Sequence, residues 1–386
     1  MKKSLFRITV SCSVIFLFFF HGNGFAQIED RYFDSKEVDE EKVVLPVFYS
    51  HPGSWKTLSE LDKRLEAIDF NKMDVVYVYH EKGIFNYREA MEFAAENKLE
   101  WLKFHQVRAP LDRGTLFRNK ALHAEFERIF DKADGVVFFG GYDIPAYVYG
   151  EKTSLLSDIV YPYRHFIEIA AVFYLLGGTQ DKEYECFLES HPGFPVLGIC
   201  LGFQTMNVGA GGSMIQDIWA DVYGKMFLED VLEIPEENLH RNPYAALHPE
   251  GDYSPFTIHP IKLEADGKFC REMGFNKKDR PLVLSAHHQA LGKIGGGFRI
   301  IASSSDGKII EAIEHKRFPG VLGIQFHPDV PFLWDPGARI QIFPGGSKES
   351  LVSLLRTRSP SHAFNRKIWS WFDGRLKAYN NGRGTK

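Results

Sequence analysis

The chain has 386 residues and a formal net charge of −4; 44% of its residues are hydrophobic and 25% charged. That is the composition of a globular protein, long enough for one large domain or two small ones. No basic excess points to nucleic acid, so a nucleic-acid partner is not expected.

Taken in chain order, the N-terminus reads as a targeting segment. Lys2, Lys3 and Arg7 give a positive start, residues 8–20 are an apolar run, and Gly24-Phe25-Ala26 places small residues where a signal peptidase cuts. Residues 1–26 are therefore expected to be a secretory signal peptide, cut after Ala26, because the run is short for a membrane span. The mature protein is then exported (periplasmic or secreted), with no stable membrane span. Residues 27–42 are charged and aperiodic, an exposed leader. Removing the signal leaves Cys186, Cys200 and Cys270, an odd count that leaves at least one thiol unpaired. Cys186 and Cys270 can pair or lie buried, and burial is the favoured reading.

From residue 43 strands and helices alternate. Strands are expected at 43–49, 75–79, 101–107, 135–139 and 194–199, with helical patterns at 58–68, 87–97, 120–132 and 164–176 between them. Such alternation implies an α/β fold, a mostly parallel sheet covered on both faces. Residues 221–253 form a polar connector that should lie near the mouth of a site. Further strands with hairpins follow at 256–263, 281–285, 298–303, 309–315 and 321–326. Residues 331–360, marked by Pro and Gly, read as an insertion serving as lid, partner surface or long loop. Phe364, Ile368, Trp371, Phe372 and Tyr379 recur at helical spacing and predict a terminal helix packed on the sheet. Residues 43–386 are expected to form a single domain.

Three separated stretches carry chemistry. In Gly198-Ile199-Cys200-Leu201-Gly202 an apolar strand leads into a cysteine between glycines, and a helix leads out. This is the layout of a nucleophile elbow, where only small residues fit beside a strained central one. The free N–H groups at the start of the helix favour the nucleophilic thiolate. In Gly323-Ile324-Gln325-Phe326-His327-Pro328-Asp329 a strand ends in a histidine with an acid two residues on, so both share a face. In Val136-Val137-Phe138-Phe139-Gly140-Gly141-Tyr142-Asp143 a strand runs into two glycines, which let backbone N–H groups approach a ligand. Gly141 and Leu201 N–H are the candidate oxyanion pair. No cofactor or metal site is expected. His287 and His288 are adjacent in an extended segment, so they point to opposite faces, and no Cys or acid lies at metal spacing nearby.

Taken together, the three motifs resemble the class I glutamine amidotransferase-like superfamily, and further features resemble its γ-glutamyl hydrolase branch (peptidase C26). Those features are Tyr149-Gly150-Glu151, Asn207, Gly211-Gly212 with Gln216-Asp217, and Ser285-Ala286-His287-His288-Gln289. The resemblance covers about residues 43–330. It implies a flavodoxin-like three-layer α/β/α fold and a Cys200-His327-Asp329 triad. It also implies a substrate pocket that includes Gly140, Gln204, His287, His288 and Gln289. The implied reaction is cysteine-dependent hydrolysis of a small γ-glutamyl amide or peptide through a γ-glutamyl thioester. The same triad would serve a glutaminase unit that feeds ammonia to a partner synthase, and a degenerate binding protein could keep the elbow. Three positions depart from the family pattern: Asp329 stands where Glu is usual, Leu201 where Arg often follows the cysteine, and His165 where Asp is usual.

Overall fold

The computed structural model describes residues 30–35, 42–48, 72–83, 87–264, 267–358 and 360–383, with scattered positions between 58 and 69. The expected signal peptide, most of the leader and most of the first expected helix lie outside the described residues. Among the described residues no helix is long and apolar enough to cross a membrane.

The sheet has ten strands in the order β3-β2-β1-β4-β5-β12-β11-β10-β7-β8. Its parallel half comprises β1 (Val43–Phe48), β2 (Met73–His80), β3 (Leu102–Val107), β4 (Val136–Phe138), β5 (Val196–Ile199) and β12 (Val321–Ile324). These strands are apolar with almost no alternation, because helices cover both faces. Every residue of β1, β2, β4, β5 and β12 is buried. The other half is antiparallel: β7 (Thr257–Leu263), β8 (Leu282–Ser285), β10 (Phe298–Ser304) and β11 (Ile310–His315). A two-stranded ribbon pairs β6 (Met214–Ile215) with β9 (Ala290–Leu291).

The longer helices are α1 (Arg88–Glu96), α2 (Lys120–Lys132), α3 (Pro162–Leu176), α4 (Leu201–Gly209), α5 (Leu351–Thr357) and α6 (Ser361–Arg383). Helix α2 starts where the Asn119 side chain accepts the Leu122 N–H at 3.1 Å, and α3 starts with proline in its first turn. Two apolar clusters, one on each face of the sheet, make the core. Terminal helix α6 buries Phe364, Ile368, Trp371 and Phe372, as their spacing predicts; Tyr379, farther along, is only half-buried, and Leu376 is buried instead.

Residues 331–360 are more ordered than a long loop. Pro331–Leu333 makes a 3-10 turn, Ile340 bridges Glu349, and α5 follows. Leu333, Leu351 and Leu355 pack with Leu282 and Leu284 of β8 in a small core of their own. Cys186, Cys200 and Cys270 are all free and buried.

Candidate active site

The carboxyl ends of three neighbouring strands, β4, β5 and β12, deliver the three motifs to one place. Phe138 is in register with Gly198, and Ile199 with Ile324. The residues that follow, Gly140, Cys200 and His327, are thereby brought together at the edge where open α/β sheets place their ligands.

Cys200 caps α4 at φ 53° and ψ −106°, one of three described non-glycine residues with positive φ. Such a conformation persists only where its surroundings impose it. Here they do. A side chain at Gly202 would overlap the Phe138 carbonyl, and one at Gly198 would overlap Met206 and the Gly202 backbone. The elbow is thus pressed between β4 and its own helix, and Cys200 keeps 7% of its surface exposed.

His327 Nδ1–H donates to Asp329 Oδ1 at 3.0 Å. That leaves Nε2 for the thiol. A Cβ at Gly140 would lie 3.1 Å from His327 Cε1, 3.6 Å from Cys200 Cβ and 4.0 Å from Cys200 Sγ, so Gly140 touches both partners. Burial alone would lower the His327 pKa, but the facing Cys200 sulfur and the Asp329 carboxylate outweigh it and hold the ring well above its usual value. Gln325 Nε2 lies 3.7 Å from Cys200 Sγ, and Gln204 Nε2 donates to Gln325 Oε1 at 3.1 Å. Gln325 was not singled out in the sequence, although it shares the i, i+2 spacing that ties His327 to Asp329. The Pro328 carbonyl, between the two, accepts the indole N–H groups of Trp334 at 2.9 Å and Trp369 at 3.0 Å.

The candidate oxyanion donors are set from below by Arg164 on α3. Its Nη2 donates to the Phe139 and Gly140 carbonyls at 3.0 and 2.9 Å, and its Nε to Glu168 at 2.9 Å. In a trans peptide the C=O of one residue and the N–H of the next point in opposite directions. With the Gly140 carbonyl pulled toward Arg164, the Gly141 N–H points away from it. A Cβ at Gly141 would collide with the guanidinium, which accounts for glycine there. Leu201 is the first residue of α4, so its N–H has no partner within the helix.

The other expected pocket residues divide. His288 is clamped: Nε2 donates to both Asp143 oxygens at 2.9 Å and Nδ1 to Asp217 at 3.1 Å. Burial opposes its charge, but the two carboxylates win and raise its pKa to about 9, so it is an imidazolium at neutral pH. Gln204, His287 and Gln289 are buried inside the wall. Gln289 Nε2 donates to the Gln216 carbonyl at 3.2 Å, and His287 Nδ1 to the Gln289 carbonyl at 2.9 Å. No acid stands at metal spacing from His287 in the sequence, but one comes near it in the fold. Glu311 of β11 reaches it together with His240 and His259, because strand pairing gathers residues that are far apart in the chain.

Residues 116–329 match the family described as Peptidase C26. Among similar proteins, a glutamine amidotransferase-like protein of Lactococcus lactis subsp. lactis is 29% identical over 51% of this chain and 66% of its own length. A Rickettsia prowazekii protein, also named glutamine amidotransferase-like, is 31% identical over 58% of this chain and 79% of its own. The chain spans only 52% of a similar Mycobacterium tuberculosis protein, at 29% identity. Among solved structures, a GMP synthase component from Thermoplasma acidophilum covers 80% of this chain and 96% of its own, at 14% identity and a TM-score of 0.36, too low an overlap to argue from. The chain has the α/β architecture and belongs to the peptidase C26 family, among the glutamine amidotransferase-type hydrolases.

Replacing Asp329 with Asn should lower kcat/KM by about 10²–10⁴, because the amide neither fixes the His327 tautomer nor balances its charge. Loss of the carboxylate also lowers the His327 pKa, so the alkaline limb of the kcat/KM profile should move to lower pH. A purely structural role would change the rate without moving that limb.

Proposed function

We propose that this protein hydrolyses γ-glutamyl amide bonds through a γ-glutamyl thioester. The observation that carries the reading is the strained Cys200 beside a His327 ring engaged by Asp329. His327 Nε2 holds the proton of the Cys200 thiol, and the Cys200 thiolate attacks the amide carbonyl carbon. The Gly141 and Leu201 N–H groups stabilise the resulting oxyanion. His327 then protonates the departing amine as the C–N bond breaks, leaving the thioester. Water adds to the thioester carbon and gives a proton to His327, which holds it as the C–S bond breaks and the thiolate leaves the γ-carboxyl product.

Asp329 is one methylene shorter than the usual Glu, yet it reaches Nδ1 at 3.0 Å. Substrate choice differs from relatives with Arg after the cysteine, since Leu201 is buried and offers only its backbone. With the expected N-terminal signal, the reaction takes place outside the cytoplasm, on γ-glutamyl peptides or amides met there. The test is a panel of γ-glutamyl amides, glutamine included, assayed with the full chain. Release of amine from one or more γ-linked members, and none from α-linked isomers, supports the reading. Equal rates on both linkages would overturn it.

A second reading, ammonia supply to a synthase, is favoured by likeness to parts of a Prochlorococcus marinus CTP synthase, 27% identical over 30% of that protein, and of a Shewanella denitrificans GMP synthase. It requires glutamine to be the preferred substrate and a synthase to copurify.

A further inference from the structure

Behind the His287–Gln289 wall, four side chains that the amide chemistry does not use meet in the interior. His240 comes from the 221–253 connector, His259 from β7, His287 from the segment after β8 and Glu311 from β11. All four are buried, and one potential ligand atom from each lies within 4.8 Å of the others. His240 Nδ1 is 3.2 Å, and His259 Nε2 3.9 Å, from Glu311 Oε1.

Hydrogen bonds do not account for this cluster. Both nitrogens of His240, Nε2 of His287 and both oxygens of Glu311 are buried with no hydrogen-bond partner. A buried polar atom without a partner carries an uncompensated desolvation cost, and such atoms are rare in folded proteins. Here they belong to one cluster, in which one ligand atom from each residue lies within 4.8 Å of the others. The backbone is also strained to put them there, since His240 sits at φ 61°.

We propose that His240, His259, His287 and Glu311 form a closed, four-coordinate site for a divalent d-block cation, with Zn2+ the best fit. Three imidazole nitrogens and one carboxylate oxygen suit zinc, and a tetrahedral site needs only a modest contraction from the spacing seen. The outer contacts are of the kind that orient ligands. His287 Nδ1 is committed to the Gln289 carbonyl at 2.9 Å, which aims Nε2 at the centre; His259 Nδ1 lies 3.4 Å from the Pro260 carbonyl, and its Nε2, 2.8 Å from Ser285 Oγ, exchanges that contact for the ion. Burial of all four leaves no open position for substrate, so the ion braces the fold. It ties the connector to β7, β8 and β11. The brace lies close to the catalytic histidine, because the Leu284 carbonyl of β8 accepts the His327 N–H at 2.8 Å.

The proposal is independent of the hydrolase reading, and its test needs no activity. The purified full chain is stripped with a chelator, then titrated with Co2+ and with Zn2+. One equivalent should bind per chain, Co2+ should give the visible absorption of a tetrahedral site, and Zn2+ should raise Tm. Glu311→Gln and His259→Gln should weaken uptake at least tenfold, whereas His248→Gln, at an exposed histidine, should not. Should the buried variants fail to fold, the wild-type Co2+ spectrum and stoichiometry decide alone. No stoichiometric uptake by the wild-type chain, or uptake undiminished in folded Glu311→Gln, overturns the site.

Discussion

Cys200→Ala should abolish turnover, with kcat falling by at least about 10⁴-fold, the scale of nucleophile loss in enzymes whose catalytic groups act as one unit. Mass spectrometry of the wild-type chain quenched during turnover should show a covalent γ-glutamyl adduct, and the variant should show none. A variant retaining substantial activity would sink the thioester mechanism. Cys200→Gly makes a sharper version of the test. Cys200 sits at φ 53°, a conformation that costs a side-chain-bearing residue about 1–3 kcal/mol and glycine almost nothing. The glycine variant should therefore be inactive yet as stable as the parent or more so, by about 1 kcal/mol, offset in part by the larger entropy of its unfolded chain. A clear loss of stability on thermal melting would show that the elbow is not strained.

The second large effect lies beneath the oxyanion turn. Arg164→Met should destabilise the fold by about 3–5 kcal/mol, the usual consequence of removing one partner from a buried ion pair. It should also lower kcat by about 10²–10³, comparable to losing an oxyanion donor, because nothing then fixes the 140–141 peptide. Arg164 touches no substrate in this scheme; it is a positioning residue. A KM left near the wild-type value while kcat falls is the signature that separates positioning from general disruption. Glu168 supplies the control. Burial outweighs the attraction of Arg164 and pushes its carboxyl up to about 7. A carboxyl raised above its unfolded value of 4.5 binds its proton more tightly in the folded chain. Its contribution to stability is thus fully present below about 4.5 and is lost as pH rises through about 7. Glu168→Gln should flatten that part of the stability–pH curve while keeping a hydrogen-bond acceptor for Arg164.

What the sequence made legible follows from how locally each feature is encoded. β4, β5 and β12 read as strands because both faces are covered and their apolar runs are unbroken. The Cys200 elbow and the His327–Asp329 pair each lie within one short segment, so spacing alone placed them. Arg164 and Glu168 stood at i, i+4 in an apolar helix, but what they hold became visible only when β4 was laid beside α3. The His240, His259 and Glu311 cluster was hidden because each member belongs to a different element, and it takes the β8–β7–β10–β11 run of pairings and the contact of the connector with the segment after β8 to bring them together. In residues 331–360 frequent Pro and Gly obscured Leu351 and Leu355, whose i, i+4 spacing does mark helix α5.

The Pro328 carbonyl bears on where this protein can be cut. It accepts indole protons from Trp334 and Trp369, one in the insertion and one in the terminal helix, while the stretch shared with the family ends at Asp329. The segment that makes this chain recognisable as a relative is thus not a self-sufficient unit. A fragment trimmed to the shared boundary would keep all three chemical residues but lose both anchors of the turn that spaces His327 from Asp329. The tail beyond the matched region thus helps hold the turn in place, so expression boundaries and fusion points belong after Arg383 rather than at 329.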